Sequence, residues 1–279
     1  MAISAIDVIE KFAPSANKAY RAAFADGQSR LDDAGITTAL RLAHFMAQCM
    51  HETGALTILV ESGRYSAKNL GTMWDSGNWH RYFANRAECV AMAEQCKKDS
   101  GVALFSLVYG KRMGNGPKET HDGWNFRGRG ILQTTGRESY RIFGDRCKVN
   151  FEGDPDLVVA SEHALKPALQ EWTDKHLNVA ADRDDIEAVT RGINGGLVGL
   201  SSRRSWLAKI KAFLVDNQEV EHTIEWRVQE ALSKAGFDLG KPDGVIGPRS
   251  RLAIIAYRAK HNLAPGTKID ADLIASLGL

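Results

Sequence analysis

Ile36-Thr37-Thr38-Ala39-Leu40-Arg41-Leu42-Ala43-His44-Phe45-Met46-Ala47-Gln48-Cys49-Met50-His51-Glu52-Thr53-Gly54 is the stretch on which the reading turns. Thr37 or Thr38 can cap a helix start, and Leu40, Leu42, Ala43, Phe45, Met46, Cys49 and Met50 form an apolar stripe at helical spacing. Gly54 is placed to stop the helix. The helix predicted over 36–53 therefore carries a carboxylate, Glu52, in its last turn. Carbonyls without partners and the negative end of the helix dipole surround such a residue. In partly apolar surroundings that setting favours the protonated form, which is what a glycosidase uses to protonate a leaving oxygen. A solvated helix-end glutamate fits the same fragment.

His51-Glu52 also invites a zinc-protease reading, but that chemistry needs a second histidine where Ala55 stands. His44 and His51 lie on one helical face and read as packed or exposed helix histidines rather than ligands. No metal is expected.

Working outward, Glu61 follows the apolar run Leu59-Val60 and should emerge at the edge of a core. Two carboxylates so placed can flank one sugar linkage, one as acid and one as base, though glutamate pairs are common. Residues 110–137 are too rich in glycine for a helix interior and read as a functional loop surface. Within it Asn125, Gln133 and Thr135 offer neutral hydrogen bonds and Trp124 a flat apolar face, a mix suited to sugars. The GxxxxGK[ST] spacing of a phosphate loop is absent. A turn-rich loop with Trp124 in the core remains the alternative.

The chain has 279 residues, 44% of them hydrophobic, enough for one large or two smaller domains with a real core. A net charge of +2 argues against nucleic acid as a partner. Cys49, Cys89, Cys96 and Cys147 show no CxxC pair and no zinc spacing, and read as free, mostly buried thiols. The first residues lack the basic and apolar pattern of a secretory signal. No segment approaches the ~20 apolar residues of a membrane span, so no membrane insertion is expected. Further helices are predicted over 84–98, 161–177, 183–193 and 205–214, and short strands near 57–66 and 131–135. Residues 216–222, polar and without Pro or Gly, read as a linker or a frayed helix end.

Five motifs occur in order: His51-Glu52-Thr53-Gly54; Glu61 before Arg64-Tyr65-Ser66-Ala67; Tyr109-Gly110-Lys111-Arg112-Met113-Gly114-Asn115-Gly116; Gly128-Arg129-Gly130-Ile131-Leu132-Gln133-Thr134-Thr135-Gly136; and Ile193-Asn194-Gly195-Gly196. Together they resemble the family 19 glycoside hydrolases, which comprise chitinases and, in bacterial and phage form, endolysins. The resemblance covers roughly residues 35–213. It implies a mainly α, lysozyme-like, two-lobed catalytic domain over 1–215 with a small β element, and an inverting mechanism without a cofactor. It implies Glu52 as general acid, Glu61 as general base and Thr135 as a hydroxyl that helps hold the attacking water. It implies Gln133 and Asn194 at the sugar sites, with Tyr65 and Trp124 as further substrate-binding candidates, and Arg203 or Arg204 as a basic residue near the acid. Two departures stand out. Thr134 replaces an apolar residue, and Val198 occupies the place where plant chitinases carry another carboxylate.

The tail resembles a small three-helix peptidoglycan-binding module over 223–279, with Asp243, Gly244, Gly247 and Pro248 as its inter-helix turn. The glycines supply tight backbone and Pro248 opens the next helix. An appendage that binds another protein is the alternative. Residues 217–279 hold eight Lys/Arg and eight Asp/Glu, so the tail is neutral.

Three functions compete. The first is an endolysin, a lysozyme that cuts the β-1,4 bond between N-acetylmuramic acid and N-acetylglucosamine in bacterial peptidoglycan and lyses the host cell. The second is a chitinase. The third is a catalytically dead wall-binding protein. Both glutamates argue against the third and the tail against the second. The expected protein is a monomer made in the bacterial cytoplasm, released by a separate holin-like protein to act on peptidoglycan in the periplasm and cell wall.

Overall fold

The computed structural model describes residues 4–221 and 223–279, and the side chains of all of these except 215–221. It is mainly helical. In chain order the helices are α1 (Ala5–Phe12), α2 (Lys18–Ala25), α3 (Gln28–Asp33), α4 (Ala39–Glu52), α5 (Ala67–Asp75), α6 (Arg86–Asp99), α7 (Val102–Tyr109), α8 (Asp122–Asn125), α9 (Arg137–Cys147), α10 (Leu165–Asp174), α11 (Leu177–Asp182), α12 (Ile186–Asn194), α13 (Leu200–Glu221), α14 (Ile224–Lys234), α15 (Pro248–Lys260) and α16 (Ala271–Ser276). The chain divides into two compact units, Ser4–Ile210 and Lys211–Leu279.

In the first unit α4 is the central element. Thr38 caps it by accepting a hydrogen bond from Arg41 N at 3.2 Å. Every residue from Leu42 to Met50 is buried, including the polar His44 and Gln48, because α4 packs against α1, α11 and α12 on several sides. Its stop is sharper than a single glycine. Thr53 is the C-cap, and Gly54, Ala55 and Leu56 all take left-handed backbone. The Thr53 hydroxyl stabilises that costly run by accepting from Leu56 N at 2.8 Å and donating to Cys49 O at 2.5 Å.

Two further apolar clusters flank the site. Leu70, Trp79, Phe83, Cys89, Cys96, Leu104 and Phe105 bind α5, α6 and α7 together. Phe126, Tyr140, Phe151 and Val158 form a smaller cluster beneath the glycine-rich segment. Cys49, Cys89 and Cys96 are buried free thiols and Cys147 is half-buried.

Some expectations shift. The predicted helix over 161–177 is shorter, and α11 follows it as a separate turn of helix. The β element reduces to two isolated antiparallel bridges, Val60 with Arg129 and Arg129 with Thr134, and no longer strand occurs among the described residues. The cause is local. Gly130 and Gln133 both take left-handed backbone and Gln133 N donates back to Gly130 O, so 131–135 turns instead of extending. The expected linker 216–222 is helical as far as Glu221, since nothing in it stops α13. His222 lies outside the described residues.

In the second unit α14, α15 and α16 enclose Val228, Leu232, Ile254, Tyr257 and Leu273. Pro248 opens α15 with Gly247 as N-cap, and Gly244 takes φ +75°. The turn is held from inside by buried Gln229. Its Oε1 accepts from Asp243 N and Gly244 N, and its Nε2 donates to Asp243 Oδ1, Val245 O and Ser250 Oγ. Among the described residues no helix is long and apolar enough to cross a membrane.

Candidate active site

Glu52 ends α4 with its side chain 18% exposed. The helix end alone suggested a carboxyl surrounded by carbonyls, but the fold adds a cation. Arg203, on α13 and 1% exposed, donates Nη2 to Glu52 Oε1 and Nη1 to Gln48 Oε1. Gln48 lies one turn before Glu52 on the same face, so one guanidinium spans both. Glu52 Oε2 accepts no hydrogen bond from the described residues. Arg204, the other candidate, is 54% exposed and pairs with Glu187 on the surface. Arg203 is therefore the basic residue at Glu52.

The neighbourhood of this pair is crowded. His51 packs against Gly199, where an added Cβ would stand 2.2 Å from His51 Nε2 and where φ is +75°. Burial lowers the His51 imidazole below its ordinary range, with the Arg203 charge acting in the same direction and Glu52 against both. Val198 is 76% exposed and brings no carboxylate. The second acid that reaches Glu52 through space comes from α10. Glu171 is held above its ordinary range by burial, with the Glu52 charge adding to this and the Lys175 ammonium, 2.6 Å away, opposing it.

Glu61 sits among different partners. Its backbone N donates to Gly128 O at 2.8 Å, tying 59–61 to the glycine-rich segment. Tyr109 Oη, at the end of α7, lies 3.0 Å from Oε1 and 3.2 Å from Oε2, and Gly128 N donates to Oε2 at 3.3 Å. Burial raises the Glu61 carboxyl above its ordinary range; Tyr109, Gly128 N and the Arg127 charge pull the other way.

Gly128 is the meeting point. A Cβ added there would stand 2.7 Å from Gln133 Oε1 and 3.3 Å from both Glu61 Oε2 and Thr135 Oγ1. Three oxygens of predicted site residues thus converge on one bare backbone carbon. Gln133 Nε2 donates to Gly130 O at 3.0 Å and Thr135 Oγ1 donates to Gln133 O at 2.8 Å, fixing both side chains. Arg129, buried, braces the segment from below through Asn125 O, Tyr140 Oη and Asp156. Asn115 completes the frame. Its Nδ2 donates to Tyr109 O and its Oδ1 accepts from Arg137 N, joining α7 to α9.

Other candidates are placed differently. Tyr65 is half-buried against Trp79 and Phe105, within reach of the Glu61 charge. Trp124 does not offer an open face as expected. Arg127 covers its ring at 3.6 Å and Phe105 stacks with it at 5.9 Å. Asn194 ends α12, is exposed, and is followed by left-handed Gly195. Among the described residues no cluster of His, Cys, Asp and Glu could hold a metal ion.

Tyr109, Gly128, Gln48 and Glu171 were missed as site residues. Tyr109 opens the quoted Tyr109–Gly116 motif, and Gln48 shares the Glu52 face, so both carried a signal. Glu171 carried none.

No family model matches the chain. A relative from Haemophilus influenzae (strain ATCC 51907 / DSM 11121 / KW20 / Rd), described as a glycosyl hydrolase family 19 domain-containing protein, is 31% identical over 176 residues, covering 63% of this chain and 80% of that protein. Among solved structures, chitinase C from Streptomyces griseus HUT6037 is 18% identical with a TM-score of 0.49, covering 77% of this chain and 78% of that one. A bacterial family 19 chitinase is 22% identical with a TM-score of 0.45, covering 75% of this chain and 93% of that one. On the strength of the Haemophilus relative, the chain belongs to glycoside hydrolase family 19.

Proposed function

We propose that this glycoside hydrolase is an endolysin-type lysozyme, cutting the β-1,4 bond between N-acetylmuramic acid and N-acetylglucosamine in bacterial peptidoglycan with inversion. The observation that carries the catalytic reading is the contrast between its two glutamates. Glu52 is anchored through Oε1 on Arg203, and its Oε2 accepts no hydrogen bond from the described residues, which leaves that oxygen open toward a substrate. Glu61 is anchored by Tyr109 and Gly128 beside Thr135 and Gln133.

In this reading a water beside Gly128 attacks the anomeric carbon as Glu61 takes its proton. Glu52 protonates the departing oxygen and the glycosidic bond breaks, so a β-linkage yields an α product. Glu61 then returns its proton to solvent and Glu52 regains one. Burial suits Glu61 to this work, because it raises the proton affinity of the carboxylate above its ordinary range. The tail's resemblance to a peptidoglycan-binding module, whose turn at Asp243, Gly244, Gly247 and Pro248 is braced by Gln229, supports wall rather than chitin as substrate, and in this reading the tail is the anchor to it.

The test is the product. Mass spectrometry of digested sacculi should find new N-acetylmuramic acid reducing ends, and NMR should find the α anomer first. Reducing ends on N-acetylglucosamine, with faster cleavage of chito-oligosaccharides, would assign the chain to the chitinases instead.

A further inference from the structure

The hydroxyl of Tyr109 is aimed at one target. It lies within hydrogen-bond distance of both Glu61 oxygens, at 3.0 and 3.2 Å, and makes no other side-chain hydrogen bond among the described residues. The ring cannot swing away. It stacks on Phe105 at 5.5 Å with planes 27° apart; Phe105 stacks in turn on Trp124, and Trp124 carries Arg127. The backbone is pinned as well, because Asn115 Nδ2 holds Tyr109 O at 2.9 Å. A half-buried donor so fixed can serve packing alone, or it can hold and tune the carboxylate.

We propose that Tyr109 is the positioning residue of the Glu61 carboxylate, holding its orientation and setting how readily it takes a proton from water. This rests on the reading of Glu61 as general base. A hydrogen bond donated to a carboxylate favours its charged form, so Tyr109 offsets part of what burial does to Glu61. The groups facing the carboxylate are few. Tyr65 lies on its own segment and Gly128 N and Arg127 on the glycine-rich segment. From α7, among the described residues, Tyr109 is the residue that hydrogen-bonds it, and Arg112, just beyond α7, acts on Tyr109. Arg127 and Gly128 N favour the carboxylate as Tyr109 does, but of these groups only Tyr109 reaches both oxygens.

The experiment compares wild type, Tyr109→Phe and Glu61→Gln on soluble peptidoglycan strands, or on chito-oligosaccharides if those prove to be cut. The acid limb of kcat/KM reports the base in the free enzyme. Tyr109→Phe keeps the ring stack and removes only the donor. Its acid limb should move up by about one pH unit, the size of one charged hydrogen bond, with kcat reduced and KM little changed. Site-specific 3-fluorotyrosine at 109, a stronger donor, should move the limb down. A folded Tyr109→Phe with an unmoved limb would overturn the proposal and leave the residue a packing role. Should Tyr109→Phe fail to fold, the fluorotyrosine protein decides alone, and an unmoved limb there has the same force. Glu61→Gln separates the two failures: if it stays active, the base assignment itself is wrong.

Discussion

Gly128→Ala is the sharpest single perturbation of the site. The position is buried and its backbone lies outside the left-handed region, so alanine meets no conformational strain there. What it meets is the site. The new methyl would stand 2.7 Å from Gln133 Oε1, a contact that cannot exist, and 3.3 Å from Glu61 Oε2 and Thr135 Oγ1, both too tight to remain unchanged. Gln133 can retreat only by giving up its bond to Gly130 O, because its amide is tethered at 3.0 Å. Overpacking of this kind costs about 1–3 kcal/mol of stability, which a domain of this size should survive.

Activity should suffer far more. The methyl pushes the Glu61 carboxylate, the Thr135 hydroxyl and the Gln133 amide away from a common point, and if these act together as proposed, misplacement of about 1 Å costs roughly 10²-fold. The assay is release of reducing ends from purified sacculi, with thermal melting to confirm the fold. Gly266→Ala is the control, since an added Cβ there meets nothing within 4 Å and the position lies in the second unit, outside every quoted motif. A folded Gly128→Ala enzyme retaining more than about a tenth of the wild-type rate would refute the convergence argument.

Three other outcomes are expected. Arg203→Ala leaves Glu52 and buried Gln48 without their shared donor and should cost up to about 3–5 kcal/mol, reduced somewhat because Glu52 is partly exposed; Arg204→Ala breaks a surface pair and should stay within about 0.5 kcal/mol in denaturant melts. Glu61→Gln should melt higher than wild type at neutral pH. Burial raises the folded carboxyl, so the protonated form favours folding, and wild type loses that stability as pH rises through the folded value; the gap should close below the ordinary carboxylate value of 4.5 and a gap independent of pH would count against it. Deleting residues 217–279 should leave cleavage of soluble fragments and abolish retention on sacculi, and that retention should weaken little with added salt because the tail is neutral; an isolated tail left in the supernatant at low salt would count against the anchor role.

Periodicity sufficed for α4 because its apolar residues and its capping threonine are local signals, and the glycine density of 110–137 sufficed to rule out helix there. Periodicity could not show that α4 is buried on nearly all sides, since burial of His44 and Gln48 depends on neighbours from distant segments. It also placed strands where turns occur. Val60 and 131–135 have strand composition, but left-handed Gly130 and Gln133 reverse the chain after one bridge each. Residue type left Trp124 open between a surface for sugar and a core side chain, and its ring, committed to Arg127 and Phe105, fits the second.

The deeper limit concerns charge rather than shape. Motif order located both glutamates, yet what decides their behaviour arrives from far along the chain. Arg203 reaches Glu52 across 151 residues, and Tyr109 and Gly128 reach Glu61 across 48 and 67. A helix-end argument for Glu52 uses only its own helix, and that helix contributes carbonyls alone. The guanidinium that opposes them belongs to α13, and no spacing rule distinguishes Arg203 from Arg204. Helical geometry does so only once α13 is placed. The two are consecutive, hence about 100° apart around the axis, so when one faces Gln48 and Glu52 the other must face away, as its pairing with exposed Glu187 shows. Exposed Val198 brings no carboxylate, and the other acid that feels the Glu52 charge, Glu171 on α10, is already paired with Lys175.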